Sequence, residues 1–263
     1  MAVIAGYLLL GAFAGTAAGL LGIGGGLLIV PALLALWQGG GLHGPWLVQM
    51  AIATSLASIV FTSLASVWAH HRRGAVRWPL VWRLAPGILL GAALGALFAS
   101  AVGGGVLKRL FGLFELLVAA QMAFTLRPGG RRPLPGGLGL GLAGSVIGGV
   151  SALLGIGGGT LTVPFLTWCD VVIQQAVATS AACGLPIALA GSLVYLFAGQ
   201  GMQALPPGNL GLIHLPALAG IVAASMLFAP LGSRLAHRLS VRALRRVFAA
   251  VLALLGLWML AGG

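Results

Sequence analysis

The chain has 263 residues, 60% of them hydrophobic and 6% charged, with a formal net charge of +12. Soluble domains carry about a quarter charged residues, which excludes a soluble enzyme, a disordered tail and a disulfide scaffold. Residues 1–71 and 171–233 contain no Asp, Glu, Lys or Arg. Runs of that length exceed the ~20 apolar residues that cross a bilayer, so the chain reads as a multi-spanning integral membrane protein.

Hydropathy separates eight apolar blocks. The first four run over 2–37, 46–69, 79–101 and 106–126, and the second four over 136–168, 172–199, 208–232 and 244–262. The opening MAVIAGYLLL lacks a basic leading region, so the first block is expected to remain uncleaved. Lipid offers the backbone no hydrogen-bonding partner, so each block is predicted to be helical. Blocks 2–37 and 136–168 are too long for one plain span and are interrupted by Gly-Ile-Gly-Gly-Gly. Glycine leaves helical geometry most readily, so a break is predicted in each.

The halves repeat one another. LLGIGGGLLIVP from Leu20 and LLGIGGGTLTVP from Leu153 agree at ten of twelve positions. QMAIATSLAS from Gln49 parallels QQAVATSAAC from Gln174, and LKRLFGLF from Leu107 parallels LRRVFAAV from Leu244. Three matches in one order mark a duplication. The first repeat is placed at 1–128 and the second at 135–263, with 129–134 as a cytoplasmic linker of turn-forming Pro, Gly and Arg.

The basic residues lie between the blocks, where topology-setting charges belong, and anionic lipid rather than nucleic acid is their expected partner. Four simple spans per half would leave seven basic residues on each side. If each Gly-Ile-Gly-Gly-Gly block turns back on itself, the second half inverts. Twelve basic residues then face the cytoplasm, and only Lys108 and Arg109 lie outside. The positive-inside rule favours this inverted repeat. The expected fold is therefore all-α, with two halves of about four spans each, eight main spans in all, and broken or re-entrant Gly-rich helices.

Binding sites in inverted-repeat transporters form where discontinuous helices meet. Gly22, Gly24, Gly25 and Gly26, with Gly155, Gly157, Gly158 and Gly159, would expose backbone N–H groups beside a half-helix N-terminus, a combination that attracts anions. Close helix packing accounts for such glycines about equally well. Thr54, Ser55, Thr179 and Ser180 place hydroxyls in apolar surroundings, either to bond neighbouring helices or to donate to a dehydrated oxyanion. Thr160 and Thr162 replace Leu27 and Ile29 in the second copy and make the halves chemically unequal. Glu115 is the one acid inside a predicted span, either carrying a coupling proton or neutralised by a basic side chain from another helix. Cys169 and Cys183 form no metal-spaced cluster and read as packing residues. No nucleotide motif, metal set or catalytic constellation is present, so no cofactor and no enzymatic activity are expected.

The doubled LLGIGGG…VP segments at 18–34 and 151–167 resemble the signature segments of the TauE/SafE family. AIATSLAS at 51–58, AVATSAACGLPIALAGSLVYLFAG at 176–199 and the basic turn HHRRGAVRW at 70–78 fit it as well. The resemblance implies a transporter of the bacterial cytoplasmic (inner) membrane that exports a small sulfur-containing anion, such as sulfite, thiosulfate or sulfoacetate, and coupling to the proton gradient is the leading expectation. A homo-oligomer is compatible with this picture. A passive anion channel or an accessory membrane protein without a substrate are the alternatives, and fold alone does not separate them.

Overall fold

The computed structural model describes residues 2–21, 25–124, 133–200, 202, 205–236 and 241–262. The first half contains α1 (Ala2–Leu21), α2 (Gly26–Gly39), α3 (Leu47–Arg72), α4 (Trp78–Ala101) and α5 (Gly104–Ala123). The second contains α6 (Gly137–Leu154), α7 (Gly159–Trp168), α8 (Ile173–Ala198), α9 (Leu215–Ala236) and α10 (Val241–Leu260). Two short strands, β1 (Asn209–Leu210) and β2 (Ile213–His214), pair antiparallel just before α9. The chain is an all-α integral membrane protein. Helices α3, α4, α6 and α8 are long and apolar enough to span a membrane, and shorter apolar stretches occupy 3–18, 26–39, 215–231 and 246–260. The hydropathy blocks reappear with one shift, because the seventh opens with the β1–β2 hairpin rather than with helix.

Both long blocks divide at their glycines. Gly155 has φ +69°, a left-handed conformation that an L side chain resists. It closes α6 while the Ile156 N–H bonds back to the Ser151 carbonyl at 2.9 Å. In the first half, Trp37 Nε1 donates to the Tyr7 hydroxyl at 2.9 Å. A Cβ at Gly25 would lie 3.3 Å from that of Ala14. Residue 7 therefore meets residue 37 while 14 meets 25, so α2 runs back along α1 and the block is a hairpin. At 14 and 10 residues, α2 and α7 extend roughly 21 Å and 15 Å, well short of the ~30 Å hydrocarbon core.

Helix directions reveal how the halves relate. Leu56 of α3 packs against Gly191 of α8, and Ser63 against Gly184, so these sequence-equivalent helices run antiparallel. Their counterparts α5 and α10 do the same, pairing Gly112 with Gly256 and Lys108 with Trp258. By contrast, α4 runs parallel to α6 and α1 to α9. A Cβ at Gly144 would stand 2.5 Å from the Leu84 carbonyl oxygen, and Gly148 meets Ile88 one turn on. Gly11 meets Ile221, and a Cβ at Gly15 would stand 2.6 Å from the Ser225 carbonyl oxygen. Such close approaches are the usual means of helix association in lipid, where no hydrophobic force draws helices together. Antiparallel crossing of equivalent helices is the signature of an inverted duplication.

These directions sort the connections. The 40–46 loop, the α4–α5 turn and the β1–β2 segment gather at one end, where Gln49 Nε2 donates to the Val102 carbonyl and the His214 N–H to Thr54. The 73–77 turn lies at the other, where the Arg77 N–H donates to Thr179. The chain also leaves α5 and α9 at that end. There Arg72 stacks 4.9 Å over the exposed Trp68 ring, as basic and aromatic groups do at a membrane interface. Leu9, Leu90, Leu117, Leu142 and Leu227 are exposed on the outer faces of their helices, which suits a lipid-facing surface. Ile52, Leu56, Leu84, Ile88 and Phe111 are fully buried between the helices.

Candidate functional site

The two breaks meet one another at the centre. A Cβ at Gly26 would stand 2.5 Å from the Gly155 carbonyl oxygen and 2.9 Å from Ile156 Cα. The same carbonyl accepts a 2.7 Å hydrogen bond from the buried Ser55 hydroxyl. Gly155 in turn lies against the Ile52 backbone, and Gly158 against the Ser180 carbonyl and the Gly184 amide, with 2.8 and 3.1 Å available to a Cβ. Packing therefore explains glycine at positions 26, 155 and 158. Gly157 differs, because a Cβ there would meet only Ile59 at an ordinary 3.7 Å. Gly22 and Gly24 lie outside the described residues. Gly25 is bounded at 3.2 Å by the Ile29 side chain, and Gly159 opens α7 without a side-chain cap.

The paired hydroxyls divide into two kinds. Thr54 accepts the His214 N–H at 3.0 Å, and Thr179 accepts the Arg77 N–H at 3.1 Å. Each threonine thus holds the chain just ahead of a helix in the other half, α9 and α4 respectively. Ser55 is engaged with Gly155, whereas the Ser180 hydroxyl is buried without a partner among the described residues. Ser151, on the last turn of α6, and Thr162, on the first turn of α7, are likewise buried, with hydroxyls that have no partner among the described residues. Buried polar atoms are seldom left unpaired, and three flanking one helix break set it apart from its surroundings. Thr160 is also buried, at the start of α7. In the repeats, Thr162 stands out as a hydroxyl of the second copy alone, whereas Ser151 lies outside the matched segments and carries no such signal.

Glu115 is fully buried on α5, where a Cβ at Gly256 of α10 would lie 3.2 Å from its own Cβ. Neither carboxyl oxygen has a hydrogen-bond partner among the described residues. The neutralising ion pair, one of the two expectations for this acid, is absent there. The apparent equivalence of Gln49 and Gln174 also dissolves. Gln49 is wholly buried against the α4–α5 turn, while Gln174 is exposed on the first turn of α8.

Comparisons with known proteins agree with this architecture. The family model for the sulfite exporter TauE/SafE matches residues 7–259. A "Probable membrane transporter protein" of Haemophilus influenzae is 36% identical over 250 residues, covering 93% of each chain. One from Methanocaldococcus jannaschii is 28% identical over 263 residues, covering 96% of this chain and 94% of its own. A "Probable membrane transporter protein MamO" of Paramagnetospirillum magneticum is 28% identical over 98% of this chain, which spans 44% of that longer protein. No solved structure matches. With inverted halves, paired helix breaks and a match across almost its whole length, the chain belongs to the TauE/SafE family of membrane transporters.

Proposed function

We propose that this transporter exports a small sulfur-containing anion, a sulfur oxyanion or organosulfonate such as sulfite, thiosulfate or sulfoacetate, across the bacterial cytoplasmic membrane in exchange for protons. The carrying observation is the second helix break. There an uncapped α7 N-terminus adjoins the unpartnered hydroxyls of Ser151, Thr162 and Ser180. Helix N-termini and neutral hydroxyls bind a dehydrated anion without the cost of burying a cation. Gly155, Gly157, Gly158, Gly159 and Thr160 form the second-half wall of this site. Gly25, Gly26, Thr54 and Ser55 form the first-half wall, with Thr179 behind Ser180. Closure of the midline by Gly26 against Gly155 supports a carrier over a continuous pore.

Glu115 suits the coupling role. An unpaired carboxylate is costly in such surroundings, so occupancy of the site by a proton is tied to conformations that admit water. Proteoliposomes containing the purified chain should take up labelled sulfite, thiosulfate or sulfoacetate, and a pH gradient should drive accumulation. Glu115→Gln should retain exchange of the labelled anion while losing the response to the gradient. Absence of flux for all three anions would overturn the substrate class. An unaltered gradient response in Glu115→Gln would overturn the coupling role.

A further inference from the structure

Away from the glycine breaks, a cavity of about 390 Å³ opens between the 40–46 loop, the start of α3 and the α4–α5 turn. Three features give it chemical character. First, the 20-residue α5 begins there behind Gly103, without a side-chain cap. The Val106 and Leu107 amides bond back to the Gly103 carbonyl, while the first amides of a helix have no acceptor within it. Second, Lys108, one turn into α5, lines the cavity. It is the only lysine in a chain with 13 arginines, and its ammonium lies 5.3 Å from the Trp258 ring centroid. Third, Gln49 is 0% exposed yet reaches the cavity wall. Its Nε2 is committed to the Val102 carbonyl at 2.8 Å, which fixes the amide's orientation. Its Oε1 has no partner among the described residues. A Cβ at Gly104 would lie 3.5 Å from that oxygen, so it faces the start of α5.

An uncapped helix N-terminus and an ammonium favour an anion. A buried carbonyl oxygen beside them does not, since it offers a lone pair where the anion brings its own. The two demands are reconciled by one kind of ligand. We infer that this cavity is a separate recognition site for a small monoanion that also carries a hydrogen-bond donor. Its acid oxygens take Lys108 and the first amides of α5, and its O–H or N–H satisfies Gln49 Oε1. An anion of the same size and charge without the donor would leave that oxygen unpaired, and unpaired buried acceptors are what make such sites selective.

The test reads occupancy and needs no transport. Gly44 lines the cavity and has nothing within 4 Å of a Cβ, so Gly44→Cys serves as a reporter. The native Cys169 and Cys183 are buried, and the unsubstituted protein supplies the blank. Maleimide labelling of the full-length reporter protein in detergent is followed with 2-hydroxyethanesulfonate or ethanesulfonate added. The hydroxylated anion should slow labelling at a concentration about tenfold or more below that needed for its partner. Adding Lys108→Met should weaken that protection by a similar factor, and Lys108→Arg should restore most of it. Gly157→Ala, at the helix break, should leave protection unchanged, so that failure here and failure of the transport site are read separately. Equal protection by the two anions, or none by either in the reporter protein, would overturn the assignment. Neither of these outcomes depends on the lysine variants folding.

Discussion

Alanine placed at Gly26 and at Gly157 separates packing from ligand contact at the two helix breaks. At Gly26 the new methyl would stand 2.5 Å from the Gly155 carbonyl oxygen and 2.9 Å from Ile156 Cα. Both obstacles are backbone, so no side-chain rotation relieves them, and the Gly155 carbonyl is also anchored by Ser55 at 2.7 Å. The two breaks must separate by about an ångström to restore ordinary contact. Overpacking of this kind costs about 1–3 kcal/mol. At Gly157 the nearest atom is Ile59 Cγ2 at 3.7 Å, so the same methyl is accommodated without strain. Thermal unfolding in detergent, read as the loss of monodisperse protein, should show Gly26→Ala clearly destabilised and Gly157→Ala close to the parent. Anion flux in proteoliposomes should then fall in Gly157→Ala despite its intact fold, because the methyl fills the approach to the break. Gly158→Ala groups with Gly26→Ala, since 2.8 Å to the Ser180 carbonyl makes its primary effect structural. Parental stability in Gly26→Ala would refute the close contact of the two breaks. Parental flux in Gly157→Ala would remove that glycine from the binding path.

Thr54→Val and Thr179→Val should each destabilise by about 0.5–1.5 kcal/mol, because a part-buried backbone N–H loses its acceptor. The two effects should add in the double variant, measured by the same unfolding assay, since the threonines hold different helices at opposite ends. His214, in the segment ahead of α9, faces the Tyr7 and Trp37 rings and shares a 2.6 Å hydrogen bond with Asn209. Burial holds its imidazole below the usual histidine range. A base with a depressed folded pKa binds more protons when unfolded, so its contribution is full above the ordinary pKa and is lost as the pH falls through the ordinary and then the folded value. The unfolding temperature of the parent measured relative to His214→Gln should therefore drop between about pH 7.5 and 5. For sidedness, single cysteines in the 127–132 and 234–246 connections should both resist impermeant thiol reagents added to intact spheroplasts. Labelling of the 234–246 site alone would mean that the two connections lie on opposite sides.

Much of the architecture was legible in one dimension because lipid removes choices. A backbone that cannot bond to solvent must be helical, so uncharged runs announced helices directly. The doubled LLGIGGG segments marked the duplication, and the placement of 14 basic residues selected inversion over simple alternation. The glycines at both breaks were visible as well, since few other residues tolerate what Gly155 does at φ +69°.

What each of those residues touches was decided by the tertiary structure. The sequence treats the glycines of both motifs alike, yet Gly26 and Gly158 are pressed against backbone from another segment while Gly157 has room. Thr54 and Ser55 are adjacent in the chain and serve different partners, His214 and Gly155, 160 and 100 residues away. Gln49 and Gln174 occupy matched positions in the repeats, but only Gln49 is buried, against a turn that packs over it. Duplication copies residue types at fixed spacing, and helical periodicity settles which face each one occupies. The neighbour across that face belongs to a distant segment, and the burial, spare volume and unmet hydrogen bonds that make a site arise only when the two helices are brought together.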